Sequence, residues 1–171
     1  MSEDASARLE HLRLRLGTRV RVVRHADLGR EIRSALDFAR AVGCTPGQVA
    51  KTLLLGAVQV PAEDDPAADR RYAGVVLALP DRVDLDAAAA ALDTAGVQLA
   101  SRDELRRVLG TAPGAVSPFG MGRIPLTIDD KLMGLPAVYV SGGIPGIDIE
   151  IAPADLVEVT RARVGRVSAP S

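Results

Sequence analysis

The chain has 171 residues, enough for one domain with an apolar core and short for two. Hydrophobic residues make up 47% and aromatics only 2%, so the core must be built from Leu, Val, Ile and Ala, and platforms for stacking unpaired bases are scarce. A net charge of −1 argues against a protein that coats nucleic acid, because such affinity comes largely from neutralised phosphates, and DNA binding is excluded on that ground.

In chain order, Ser6 to Arg15 reads as a helix, with Leu9, Leu12 and Leu16 at helical spacing. Arg19 to Arg24 alternates and reads as a strand with an Arg-rich outer face. Ile32, Ala35, Leu36 and Ala39 recur at i, i+3, i+4 and i+7, predicting a helix over Glu31 to Val42 that Gly43 ends. Thr45-Pro46-Gly47-Gln48 has the form of a capping box and leads into a buried strand over Lys51 to Leu55. Residues 60–71 form an acidic, Pro-interrupted loop of a hairpin whose returning strand is Tyr72 to Leu79.

Further on, Leu85 to Leu92 is an Ala-rich helix and Val97 to Ala100 a short strand. Ser101-Arg102-Asp103-Glu104 is a second capping box, opening a helix to Leu109 that Gly110 closes. Residues 110–122 hold four Gly and two Pro and read as a shaped loop. Strands are expected at 124–128, 137–141 and 147–151, then a helix over Pro153 to Val159 and a last strand near Val164. This intermixed order predicts a single α+β domain on a mixed, mostly antiparallel and barrel-like sheet flanked by helices.

One cysteine, Cys44, excludes an internal disulfide and fits a reducing compartment. The acidic start Met1-Ser2-Glu3-Asp4 lacks the order of a signal peptide, and no apolar run approaches the roughly 20 residues that span a bilayer. A cytoplasmic protein without a membrane partner is expected. Residues 1–40 carry nine Arg against six Asp and Glu, so a basic N-terminal face including Arg13, Arg15, Arg19, Arg21 and Arg24 can be either a solvated surface or a contact for a few phosphates at one end of an RNA.

Several chemistries have no residues to carry them. His11 and His25 are not spaced as metal ligands, one Cys cannot build a zinc site, and the glycines lack the order of a P-loop or dinucleotide fingerprint. No metal and no cofactor are expected. A Cys44–His25 nucleophilic pair is conceivable, but a lone small Cys beside a helix end is more often packing. Lys51, ahead of Thr52 and the three leucines 53–55, can hold a phosphate or polarise an ester carbonyl, or it can simply snorkel into water. Gly114-Ala115-Val116-Ser117-Pro118 can expose successive amides to an anion, or be a plain turn. The pair Gly142-Gly143, before Asp148, is open to the same two readings.

Taken in order, these segments resemble one family. Gln48 to Leu55 resembles the lysine motif of the YbaK and prolyl-tRNA-synthetase editing-domain superfamily, and Gly114 to Pro118 its GxxxP loop. Thr127-Ile128-Asp129 looks like its strand ending in Asp. Val140-Ser141-Gly142-Gly143, Gly146 to Ile151 and Asp155-Leu156 resemble the SGG-x-x-G-x-DIE…DL signature of the YbaK branch. The resemblance covers roughly residues 15–168.

It implies a trans-editing hydrolase that cleaves the ester between a mischarged amino acid and the 3′-terminal ribose of tRNA, with Cys-tRNA(Pro) the default substrate. It also implies chemistry without metal or protein nucleophile, the attacking group being water or, for a cysteinyl ester, the substrate's own thiol. By the same resemblance Lys51, Gly114 and Ser141 would be catalytic, Lys51 orienting adenosine and ester. Ser34, Ala115, Val116, Ser117, Pro118, Gly142, Gly143 and Asp148 would bind substrate. The expected partners are the 3′ acceptor end of an aminoacyl-tRNA and, as helper, prolyl-tRNA synthetase; monomer and dimer both stay open. The alternative is a non-catalytic homologue that binds an aminoacyl-tRNA or a synthetase. Three departures stand out: Val23 and Ser34 occupy the places of aromatics that YbaK members carry near the substrate, Ile144 and Pro145 replace basic residues between the glycines, and the Arg-rich N-terminal helix has no counterpart role in the family.

Overall fold

The computed structural model describes residues 10–14, 16–57, 72–92 and 94–169. Residues 10–14 and 16 are helical, and Leu12 and Leu16 sink into the main core, as their spacing predicts. The rest of the expected N-terminal helix and the acidic loop at 60–71 lie outside the described residues.

Alternating side chains make β1 (Val20–Arg24), with Val23 turned into the core. Helix α1 runs Ala35–Val42 and starts four residues later than the expected Glu31. Ser34 sets the boundary: its backbone is extended and its hydroxyl accepts the Asp37 amide at 3.1 Å, which caps the helix and leaves Ile32 outside it. Gly43, in the left-handed region, closes it as expected. Gln48 reaches back to the Thr45 amide at 3.1 Å, and this tight turn feeds β2 (Ala50–Ala57), which pairs antiparallel with β3 (Tyr72–Ala78). Helix α2 (Leu85–Ala91), capped by Asp84, and strand β4 (Val97–Leu99) follow, then α3 (Arg102–Leu109), whose Ser101–Glu104 box is formed in both directions. The remaining elements are β5 (Leu126–Asp129), β6 (Val138–Ile144), β7 (Ile147–Ile151), α4 (Pro153–Thr160) and β8 (Arg163–Gly165).

Two sheets result, one in the order β1-β7-β6 and one in the order β4-β2-β3-β5-β8. Pairing is antiparallel except where β3 meets β5 and β5 meets β8. A single bridge, Val49 to Tyr139, joins the sheets just before β2, so the mixed α+β architecture holds while the sheets stay open and do not close into a barrel. The β7 sequence Ile-Asp-Ile-Glu-Ile buries its three isoleucines and leaves Asp148 and Glu150 on the opposite face.

The strand end at Asp129 has a structural explanation. Asp129 is fully buried, and its carboxylate accepts the amides of Lys131 at 3.1 Å, Val167 at 3.0 Å and Ser168 at 2.7 Å. It ties the tail of the chain to β5. An Asp129→Asn variant turns an amide NH2 toward those donors, and we expect a loss of about 2–4 kcal/mol, read as a lower urea midpoint with an unchanged slope.

Candidate active site

Lys51 stands at the start of β2, where that strand leaves the bridge between the sheets. Its ammonium is half-buried and donates to the Leu79 carbonyl at 2.9 Å and to the Asp81 carbonyl. Among the described residues no carboxylate lies within ion-pair distance of it; the Asp81 side chain turns instead to Lys131, at 3.5 Å. Two of the three N–H donors are therefore spent on neutral carbonyls, and one remains for a ligand. Burial pulls the ammonium below the usual lysine range, Asp81 partly restores it, and Arg82 lowers it again.

Lys51 opens onto a cavity of ≈ 430 Å³, a size suited to a small-molecule or nucleoside-sized ligand. The first sheet contributes Asp148 from β7 and Ser141 from β6, which are direct cross-strand partners. Ser34 lines the cavity at the cap of α1, and Gly114 and Val116 line it from the loop. Six of the sequence-derived residues thus converge on one space.

The others do not. Ala115, Ser117, Gly142 and Gly143 face a second cavity, of ≈ 460 Å³, on the other side of the same loop and strand. Pro118 lines neither; it is buried and opens a 3-10 turn over Pro118–Gly120. Gly143 has φ +77°, and a Cβ there would lie 3.2 Å from the Cβ of Ser117. A side chain at that position is excluded by conformation and by space together. The glycine pair therefore shapes the β6 irregularity and lets the loop close down on it. Gly114 also has a positive φ, +86°, but open space beyond it. The Ala115 amide is taken by the Ala112 carbonyl at 3.1 Å, whereas those of Gly114, Val116 and Ser117 have no acceptor among the described residues; of these three residues Gly114 and Val116 line the Lys51 cavity.

Three polar side chains absent from the sequence-derived set, His25, Arg33 and Thr52, also line the Lys51 cavity. Thr52 is buried, and its hydroxyl has no hydrogen-bond partner among the described residues. Its position directly after Lys51, a polar residue in an otherwise apolar strand, was the available signal. His25, at the end of β1, bonds through Nε2 to Asp148 Oδ2 at 2.7 Å, and its ring packs on Phe38 with centroids 5.3 Å apart. Val23 is a core residue and does not line the cavity, so the side chain that this part of the chain offers to it is His25. Cys44 packs in the cluster around Phe38 and Tyr139, burial pushes its thiol up, and it makes no pair with His25. Arg19 is engaged with Glu158 at 2.7 Å and Arg21 with Glu150, which removes both from a free basic face. No group of three or more His, Cys, Asp or Glu side chains placed to hold a metal occurs among the described residues, and no described helix is long and apolar enough to cross a membrane.

The fold is a small α+β domain with a cavity onto which one lysine opens. The chain belongs to the aminoacyl-tRNA editing domain family, whose sequence profile matches residues 29–159. Among solved structures it is similar to one described as a candidate trans-editing enzyme for prolyl tRNA synthetase, at 26% identity over 99% of each chain with a TM-score of 0.79. It is likewise similar to a structure from computational grafting of linear epitopes onto scaffold proteins, at 25% identity over 100% of each chain with a TM-score of 0.80. A hypothetical protein with 23% identity, covering 95% of this chain and 99% of its own with a TM-score of 0.78, shares the fold.

Burial raises the Asp148 carboxyl above its ordinary range, and the His25 bond and charge only partly offset this. An acid whose pKa is raised on folding costs stability when ionised, and the cost fades as pH falls through the raised value. Asp148→Asn, which keeps an oxygen for His25, is expected to raise Tm at neutral pH by roughly 2–4 °C. The gain should vanish on acidification, as a pH series of thermal melts checks.

Proposed function

We propose that this chain is a trans-editing hydrolase that deacylates a mischarged aminoacyl-tRNA, with Cys-tRNA(Pro) the default substrate, without a metal ion or a protein nucleophile. The observation that carries the reading is the half-buried Lys51 ammonium, held by two carbonyls, without a carboxylate partner and with one donor left over the cavity. A cation so placed is costly unless a ligand uses it, and an ester carbonyl gaining negative charge is such a ligand.

In this reading the 3′-terminal ribose and its aminoacyl group enter the cavity. Lys51 and the Gly114 and Val116 amides polarise the carbonyl. Water adds to the carbonyl carbon, the bond from that carbon to the ribose oxygen breaks, and a proton passes to the ribose. For a cysteinyl ester the substrate thiol can attack in place of water. An aminoacyl ester is already activated, so orientation and carbonyl polarisation supply much of the acceleration. Ser141, whose hydroxyl accepts the Gly143 amide at 3.2 Å, keeps the wall beside Asp148 in place. Prolyl-tRNA synthetase is the expected helper, since the chain's net charge of −1 gives it little intrinsic hold on tRNA.

The test is deacylation of a panel of charged tRNAs, including Cys-, Ala-, Ser- and Pro-tRNA(Pro), by wild type and Lys51→Ala. One mischarged species should turn over, with kcat/KM at least about 100-fold lower in the variant. Absence of turnover above the variant's background would leave a non-catalytic binder of aminoacyl-tRNA or synthetase as the account. A companion variant, Thr52→Val, removes a buried hydroxyl that has no partner. Its Tm should be unchanged or higher, with kcat/KM within about twofold of wild type, because that oxygen is sealed from the cavity; a drop in Tm would show that the hydroxyl stabilises the fold.

A further inference from the structure

Two lysines meet at one acidic residue. Asp81 follows the turn that ends β3, with its amide on the Ala78 carbonyl at 3.1 Å and its own carbonyl accepting from Lys51 Nζ. Its carboxylate goes elsewhere: Oδ2 lies 3.5 Å from Lys131 Nζ, and the side chain is 20% exposed. Lys131 belongs to the 3-10 turn Asp130–Gly134 that follows β5. Its backbone N–H donates to the buried Asp129 carboxylate at 3.1 Å, and its ammonium also donates to the Ala169 carbonyl at 3.3 Å. The tail that presents Ala169 is itself paired with the Asp81 loop, the Ala169 amide donating to the Arg82 carbonyl at 2.8 Å and the Asp84 amide to the Val167 carbonyl at 2.9 Å. Lys131 is thus anchored on the strand end and the tail, and reaches the Asp81 carboxylate from the side away from Lys51.

A carboxylate holds an ammonium more strongly than a neutral carbonyl does, an ester carbonyl included. Because the Asp81 carbonyl already touches Lys51, rotation about one side-chain bond separates the present arrangement from one in which the Asp81 carboxylate takes the remaining N–H. Resting on the deacylase reading, we propose that Lys131 is a positioning residue: it holds the Asp81 carboxylate away from Lys51 and so keeps that ammonium open to the acyl carbonyl of the ligand. The charge of Asp81 is already felt at Lys51, where burial lowers the ammonium most, Asp81 partly restores it and Arg82 lowers it again. Arg82, the other basic side chain beside Asp81 in the chain, is exposed, where water competes for it. With Lys131 gone, Lys51 is the sheltered cation that Asp81 can turn to. The Lys131 side chain is 41% exposed, and such a pair contributes little to stability, so its effect falls on the charge of the site more than on the fold.

The experiment compares wild type, Lys131→Met, Lys131→Arg and the double variant Asp81→Asn/Lys131→Met. Three quantities are read: calorimetric affinity for an amide-linked aminoacyl-adenosine, deacylation of the charged tRNA panel, and titration of the Lys51 side chain by NMR. Lys131→Met should bind the analogue and turn over the ester at least about fivefold less well, with Tm lowered by no more than about 4 °C. Its Lys51 should titrate higher than in wild type, as an ammonium that gains an anion does. Lys131→Arg, which keeps a cation on Asp81, should stay within about twofold of wild type. The double variant should recover at least about threefold of the lost affinity and turnover, with Lys51 titrating lower than in Lys131→Met. A merely structural Lys131 would leave the double variant, which lacks both members of the pair, no better than Lys131→Met. Wild-type affinity in Lys131→Met, or a loss that the double variant does not recover, overturns the proposal. Ester turnover that Lys131→Met keeps in full would overturn it and leave the deacylase reading standing. Affinity and Lys51 titration that follow the stated order, with no ester turned over by any of the four proteins, would do the reverse.

Discussion

A lysine that cannot reach a carboxylate governs the arrangement of this site. Lys51 sits where β2 begins between two apolar sheets, and its charge is kept by carbonyl oxygens of the loop after β3. Carbonyl dipoles orient an ammonium without neutralising it. The same loop sends the Asp81 carboxylate away to Lys131. The cavity thus keeps a net cation on one wall and, across it, an acid already engaged by a histidine. Such separated charges are a cost to the fold and a resource for binding an ester that carries a cation at one end and develops an anion at the other.

The wall between the two cavities is thin and made of one loop and one strand irregularity. Gly114 and Val116 face one side, Ala115 and Ser117 the other. Gly142 and Gly143 hold that wall together by letting Ile147 and Ser117 approach where a Cβ would intrude. These glycines serve the shape of the site more directly than contact with its contents. The tail of the chain, tied to the end of β5 by Asp129, also pairs with Arg82 to Asp84, directly after the Asp81 carbonyl that holds Lys51.

Much of this was legible from residue order alone. Alternation gave β1 and β7, the Ser101–Glu104 box gave the start of α3, and the motif order led to the right family and to Lys51, Ser141 and Asp148 on one cavity. What was not legible depends on three-dimensional closure. Ile32 extends the apolar spacing of α1 by one turn, yet the Ser34 cap decides the boundary because it satisfies an otherwise orphaned amide. His25 looked like one of two unplaced histidines, since its partner lies 123 positions away and meets it only through β1–β7 pairing. The division of the GxxxP loop between two cavities, and the capture of the Ala115 amide by Ala112, are likewise invisible in a motif.

The central claim is that the Lys51 cavity receives the aminoacyl end of a tRNA. The most direct measurement is a crystal structure of the protein with a non-hydrolysable aminoacyl-adenosine. The account predicts the acyl carbonyl within hydrogen-bond distance of Lys51 Nζ. An analogue seated instead in the neighbouring cavity, against Gly142 and Gly143, would contradict it.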